Sequence, residues 1–251
     1  MNYIIEDSVM SSIADSLRAK LGTSEAFQVT DMASAIDSIP SGGGDEDWIN
    51  YVEGNTTIVS GNASKIRDYA FNSTDITEAN FPVCTSIRNS AFQNCIKLTT
   101  VSFPSCTSIG NSAFYNCTSL TTVSFPSCTS IGNSAFYYCT SLTTVSFPSC
   151  ITIGNGIFQN CNKLTTVSFP SCTSIGANVF YNCQSLSALY LNSVSKVTTL
   201  NNANAFTNTP ISNSTYLGYF GSIYVPLSLV DAFKSASNWV TYANRITAIP
   251  E

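Results

Sequence analysis

The chain has 251 residues, of which 44% are hydrophobic and 12% aromatic, a composition that suits a packed core and marks a globular chain and not a disordered one. Charge is the unusual quantity: Asp, Glu, Lys and Arg make up 10% of residues, against about 25% in an ordinary soluble domain, and no acidic residue lies between Glu78 and Asp231. Arg88, Lys97, Lys163 and Lys196 are too sparse to form the dense basic stripe of a nucleic-acid binder, so the net charge of −5 belongs to the two ends.

Met1 to Asp7 lacks the basic and apolar regions of a secretory signal, and no run reaches membrane-spanning length, so no membrane insertion is expected. Val9, Met10, Ile13, Leu17 and Leu21 follow helical spacing, with Gly22 as a stop. A second helix is predicted from Thr30, as N-cap, through Met32, Ala33, Ile36 and Ile39 to Pro40. Residues 1–40 thus read as a helical module and 41–47, Ser-Gly-Gly-Gly-Asp-Glu-Asp, as a flexible acidic linker. The segment from Ser12 to Ile39 resembles a helical module near the start of tail-associated proteins in phages and prophages of gut Firmicutes. That resemblance implies an assembly partner at residues 1–40.

From Cys95 to Asn182 a 22-residue block recurs four times as C-x-x-L-T-T-V-S-F-P-S-C-x-x-I-G-x-x-x-F-x-x. A fixed period of this length marks a solenoid, in which each coil buries its apolar face only against its neighbours. Leu98, Val101, Phe103, Ile109 and Phe114 recur at the same places in each block. The spacing L-x-x-V-x-F-x-x-C matches the leucine-rich-repeat pattern, whose centre is a short strand. Alternation turns Val101 inward and Thr100 and Ser102 outward on a concave sheet. Ile109 and Phe114 close the coil from the convex side. Phe114, Phe136, Phe158 and Phe180 are expected to stack as a spine at the strand spacing of about 4.8 Å. The solenoid is placed at 48–222: an opening coil at 48–80, clean repeats at 81–191 and an irregular coil at 192–222.

All ten cysteines lie in this array, in two columns alternating every 11 residues: Cys84, Cys106, Cys128, Cys150, Cys172 and Cys95, Cys117, Cys139, Cys161, Cys183. With no C-x-x-C pair and no His in the chain, metal ligation has no support, and in-column side chains point in parallel, which disfavours disulfides. Reduced, buried, structural thiols are the expectation. At the C-terminus, Ile223 to Pro226 reads as a strand stopped by proline. Ser228 is expected to cap a helix carrying Leu229, Val230, Phe233, Trp239 and Tyr242, with Trp239 a core plug. Residues 223–251 are read as an α/β cap over the last sheet edge.

The block I-G-N-S-A-F-x-x-C following L-T-T-V-S-F-P resembles the BspA-like bacterial leucine-rich repeats, over about residues 66–191, and 223–251 resembles the segment that ends many such arrays. The resemblance implies a solenoid and a surface protein that attaches to host matrix and other cells, with no fixed ligand motif to carry over. It places the protein at a cell surface or on a virion; without it, a cytoplasmic location is the default. The repeats supply neither carboxylate nor imidazole, which removes acid–base and triad catalysis together. No enzyme activity and no cofactor are expected. The candidate contact surface comprises the outward Thr100, Ser102, Thr122, Ser124, Thr144 and Ser146, and Tyr115, Tyr137, Tyr138 and Tyr181 beside the spine. Uncharged hydroxyls and tyrosines suit a polysaccharide or protein ligand. The expected role is therefore non-enzymatic binding or adhesion, within a phage tail or bacterial surface assembly. The alternative is a spacer that links another protein through residues 1–40.

Overall fold

A computed structural model describes residues 58–192, 196–212 and 221–250. The helices, linker and first part of the opening coil expected at residues 1–57 lie outside the described residues.

Each 22-residue block forms one coil with three sides. The first side is the expected strand: β1 (Ile58–Ser60), β3 (Glu78–Asn80), β5 (Thr100–Ser102), β7 (Thr122–Ser124), β9 (Thr144–Ser146), β11 (Thr166–Ser168) and β13 (Ala188–Tyr190). These run parallel, β1 with β3 and β5 in one ladder and β7 to β13 in another that continues into the C-terminal strands. Register follows sequence identity, Thr166 against Thr144 and Ser168 against Ser146. The inward residues Val101, Val123 and Val145 of β5, β7 and β9 are buried and their neighbours are exposed.

The second side corrects the reading of one strand per coil. Two residues ending in Ile, or in Leu at the last coil, form a further strand each time: β2 (Lys65–Ile66), β4 (Ser86–Ile87), β6 (Ser108–Ile109), β8 (Ser130–Ile131), β10 (Thr152–Ile153), β12 (Ser174–Ile175) and β14 (Thr199–Leu200), joined in one seven-stranded parallel sheet. A two-residue strand with one buried residue has no alternation to read, and only stacking of identical coils creates its ladder. The glycine after it is required by close approach: a Cβ on Gly176 would lie 2.5 Å from the Gly154 carbonyl oxygen of the coil before.

The third side, Ser-Ala-Phe-Tyr-Asn, is not strand. Its amides donate to the next coil, Ser112 to Asn133 at 2.9 Å, Phe114 to Ala135 at 2.7 Å and Asn116 to Tyr137 at 2.7 Å. The path needs two left-handed residues per turn, here Ser112 (φ 54°) and Asn116 (φ 58°). Asn is among the residues that tolerate this region best.

Two phenylalanine columns fill the core. The expected spine stacks at 5.0 Å between Phe92 and Phe114, 5.1 Å to Phe136, 5.6 Å to Phe158 and 5.9 Å to Phe180. It extends to Phe71 and Phe206 at its two ends. A second column, Phe81, Phe103, Phe125, Phe147 and Phe169, runs beside it with centroids 5.5 to 6.3 Å apart. The ten thiols are free and buried between these columns and the coil corners. In the first column each thiol donates within its own coil, as Cys106 Sγ does to Ser108 O at 3.2 Å. In the second it reaches one coil back, as Cys117 Sγ does to Phe92 O at 3.1 Å. Burial first, and the thiols above and below second, push Cys106 up to about 12; burial likewise raises Cys128, Cys139, Cys150 and Cys172 to about 12. Such thiols stay protonated and inert at neutral pH.

At the C-terminus β15 (Ser222–Val225) pairs with β13 and β16 (Ile246–Ala248) with β15, both parallel. The single helix expected after Pro226 is broken. A 3₁₀ turn at Leu227–Leu229 leads into α1 (Val230–Ser235), whose N-cap is Leu229 and not Ser228, and a separate 3₁₀ segment, Trp239–Arg245, carries Trp239 and Tyr242. The cause is Asn238, left-handed at φ 63°, which turns the chain back onto the last coil. There Trp239 is fully buried, packed edge-on to Phe233 at 5.3 Å and beside Phe206 at 6.1 Å. Its indole N–H donates to Thr198 O at 2.6 Å, and the Asn238 amide donates to Leu200 O at 2.7 Å. In the preceding coil the equivalent carbonyls, of Thr173 and Ile175, accept from the amides of Thr199 and Asn201. Two side chains thus supply the donors that a further strand would bring to β14, and the ladder stops there with its carbonyls satisfied.

A candidate binding surface

Many Ser and Thr hydroxyls at the corners of the array join one coil to the next. At the corners Thr107 donates to Thr85 O at 3.0 Å, Thr143 to Thr121 O at 3.1 Å and Ser127 to Pro104 O at 2.9 Å, each to the coil before. The strand face differs. Thr100, Ser102, Thr122, Ser124, Thr144 and Ser146 are exposed, and their hydroxyls make no hydrogen bond to another described residue. Parallel register aligns them in two straight columns, one of Thr and one of Ser, with a strand spacing of about 4.8 Å. The Thr column begins after Glu78 and continues through Thr166, Ala188 and Ser222. The Ser column runs from Asn80 through Ser168, Tyr190 and Tyr224 to Thr247. From Thr100 to Ser222 and from Ser102 to Thr247 neither carries a charged side chain; by the same register the residue beyond Ser222 is Arg245.

The four candidate tyrosines divide. Tyr115 and Tyr137 stack at 5.0 Å with planes 1° apart, and Tyr138 leans on Tyr137 at 5.5 Å and 31°. These three form one patch on the third side of the coils. Tyr181 lies two coils further on, with Gln159 at the intervening position, and is not part of the patch. Tyr138 is also out of pattern in its backbone. It has φ 63° where Asn94, Asn116, Asn160, Asn182 and Asn208 occupy the same left-handed site at 58° to 63°. It interrupts an amide ladder, present as Asn116 Nδ2 to Asn94 Oδ1 at 3.0 Å and Asn182 Nδ2 to Asn160 Oδ1 at 2.7 Å. A left-handed residue with a Cβ costs roughly 1–2 kcal/mol, less for Asn. Tyr138→Asn is therefore expected to stabilise the fold by about 1 kcal/mol, a rise in Tm of roughly 2–4 °C by thermal melting. An unchanged or lowered Tm would show that the tyrosine stack itself compensates the backbone.

The sequence reading passed over a further stack, Tyr190 on Tyr224 at 4.6 Å and 13°. The first of these could be placed in the Ser column from the repeat. The second could not, because the 33 residues between Tyr190 and Tyr224 carry no repeat to set its register. Among the described residues no group of three or more His, Cys, Asp or Glu could hold a metal ion, and no helix is long and apolar enough to cross a membrane.

Stacked coils with a parallel strand apiece, a phenylalanine spine and L-x-x-V-x-F spacing define a leucine-rich-repeat solenoid. The chain belongs to the BspA type: the family described as BspA type Leucine rich repeat region (6 copies) matches residues 64–187 and 107–224, together more than half of it. Proteins of this type are generally binding or adhesion proteins and typically not enzymes. The chain is similar to a solved leucine-rich cell surface protein of Faecalibacterium prausnitzii, at 28% identity over 58% of this chain and 43% of that one, with a TM-score of 0.43. It is also similar to a leucine-rich repeat protein of T. pallidum (22% identity, 53% and 79% covered, TM-score 0.40). A third is a leucine-rich repeat protein of Bacteroides ovatus (20% identity, 67% and 55% covered, TM-score 0.41). The chain spans less than half the length of the first of these. Among curated protein sequences none matches significantly.

Proposed function

We propose that this protein is a non-enzymatic binding or adhesion protein that engages an uncharged glycan or protein surface through the strand face of its solenoid. The observation that supports this is the division of hydroxyls. Corner hydroxyls are consumed by inter-coil bonds, whereas those of the strand face are aligned, exposed and free to bond outward. Repeated weak contacts on a rigid array add up to useful affinity without any single dominant residue. The absence of charge along the face selects against ionic ligands, whose desolvation it could not offset.

The test begins with the intact chain on arrays of glycans and host proteins. For any captured ligand, replacing Thr122, Ser124, Thr144 and Ser146 together with Ala is expected to weaken binding at least about tenfold, or about 1.4 kcal/mol, at unchanged Tm. A loss confined to a Tyr115→Ala, Tyr137→Ala, Tyr138→Ala variant would move the contact to the third side of the coils. Unaltered affinity in both variants is what a spacer acting through residues 1–40 would give.

A further inference from the structure

We infer that Tyr190 and Tyr224 form a stacking platform for a neutral pyranose unit, so that the ligand of the strand face is an uncharged glycan and not a protein. This deepens the binding reading above and rests on it. The two tyrosines sit in the Ser column of that face, aligned on Ser168 on one side and on Thr247 on the other. Their rings stack across neighbouring strands at 4.6 Å, and both are half-buried, so they are held rigidly in place. The stack runs along the column, so that the residue beyond Tyr190 is Ser168 and the residue beyond Tyr224 is Thr247, both far smaller than a ring. Ser168 and Thr247 both end in hydroxyls.

That combination matches the chemistry of a hexose. A pyranose ring presents axial C–H groups on one face, which pack on an aromatic face, and a rim of equatorial hydroxyls that need hydrogen-bond partners. A ring seated over Ser168 packs on Tyr190 and meets the hydroxyls of Thr166 and Ser146 around its rim, groups that both donate and accept. Thr166 is exposed and, like Ser146, makes no hydrogen bond to another described residue. Ser168 and Thr247, the column neighbours of the pair, are uncharged, and Arg245 falls in the Thr column at the far side of Tyr224, so the seat on Tyr190 over Ser168 holds no counter-charge for a uronic or sialic acid. A charged protein surface would gain less here, because bare hydroxyls offer its ions no counter-charge.

The experiment uses the full chain and a panel of neutral gluco-, galacto- and manno-oligosaccharides, followed by saturation-transfer NMR and titration calorimetry. Binding of at least one is expected, with saturation transferred to its axial protons. Tyr190→Ala with Tyr224→Ala should weaken it at least tenfold. Tyr190→Phe with Tyr224→Phe keeps both ring faces and the packing and should hold affinity within about threefold, a difference under 1 kcal/mol. Thr247→Arg, at an exposed position, places a guanidinium over the open face of Tyr224 without disturbing the core, and should weaken binding if that face is used. If binding persists in the Ala pair, or is lost as fully in the Phe pair, the platform is refuted. If no neutral sugar binds but a protein ligand does, and is lost with the Thr122, Ser124, Thr144 and Ser146 variant, this inference falls and the binding face stands. If neither class binds, both fall.

Discussion

Deleting residues 223–251 is expected to make the chain aggregate. The cut removes most of β15 and all of β16, which uncovers the edge of β13, and it removes Trp239 and Asn238, which satisfy the last carbonyls of β14. It also strips the Trp239 and Tyr242 rings from Phe206, the last ring of the spine. An open parallel edge beside an exposed aromatic column is a template for another chain. Two point variants separate the contributions. Trp239→Ala empties a fully buried site and should cost about 3–5 kcal/mol, lowering Tm by roughly 10 °C. Asn238→Asp keeps the size and the turn but sets an acceptor against the Leu200 carbonyl, an expected loss of about 1–3 kcal/mol. Size-exclusion chromatography and thermal melts read all three. A truncated chain that elutes as a monomer and melts like the parent would show that the segment is an appendage and that the array closes itself.

What could be read from the sequence follows from how each element announces itself. The first strand, the Phe114 spine and the buried thiols repeat identically, so one coil fixes the rest, and the inward placing of Val101 needs only strand alternation. The second strand was hidden because Ser108 and Ile109 are too few to show a period. Left-handed sites at Ser112 and Asn116 carry a weak signal, and it becomes legible once Tyr138 is recognised as the exception in a column of Asn. The C-terminal helix was drawn too long because spacing joins Phe233 to Trp239 and Tyr242, whereas Asn238 reverses the chain between them. The strand-face hydroxyls could be assigned to a surface from pattern alone. That they are free while Thr107 and Ser127 are engaged required the stacking geometry. Tyr224 required the path of a 33-residue excursion that no repeat constrains.

The largest pH effect should come from the thiols, and it should be alkaline. An ordinary thiol ionises near 9.0, while Cys106, Cys128, Cys139, Cys150 and Cys172 hold their protons to about 12, chiefly because burial penalises the thiolate. Burial also raises Cys95, Cys117, Cys161 and Cys183. Below pH 9 both folded and unfolded chains carry these protons, so pH has no leverage through them. Above it the unfolded chain releases protons that the folded chain retains, and stability falls as pH rises, by up to about 1.4 kcal/mol per thiol per pH unit. Shared among the eight with large shifts, all but Cys95, one unit amounts to on the order of 10 kcal/mol, comparable to the whole stability of a typical domain. Under reducing conditions Tm should therefore be nearly flat from about pH 6 to 8.5 and collapse between about pH 9 and 10.5. Thiolate absorbance in the ultraviolet should appear together with the loss of circular dichroism, not before it. A smooth thiolate titration near pH 9 in a chain that stays folded would mean that the columns are open to water, and the reading of the thiols as buried inter-coil donors would have to be abandoned.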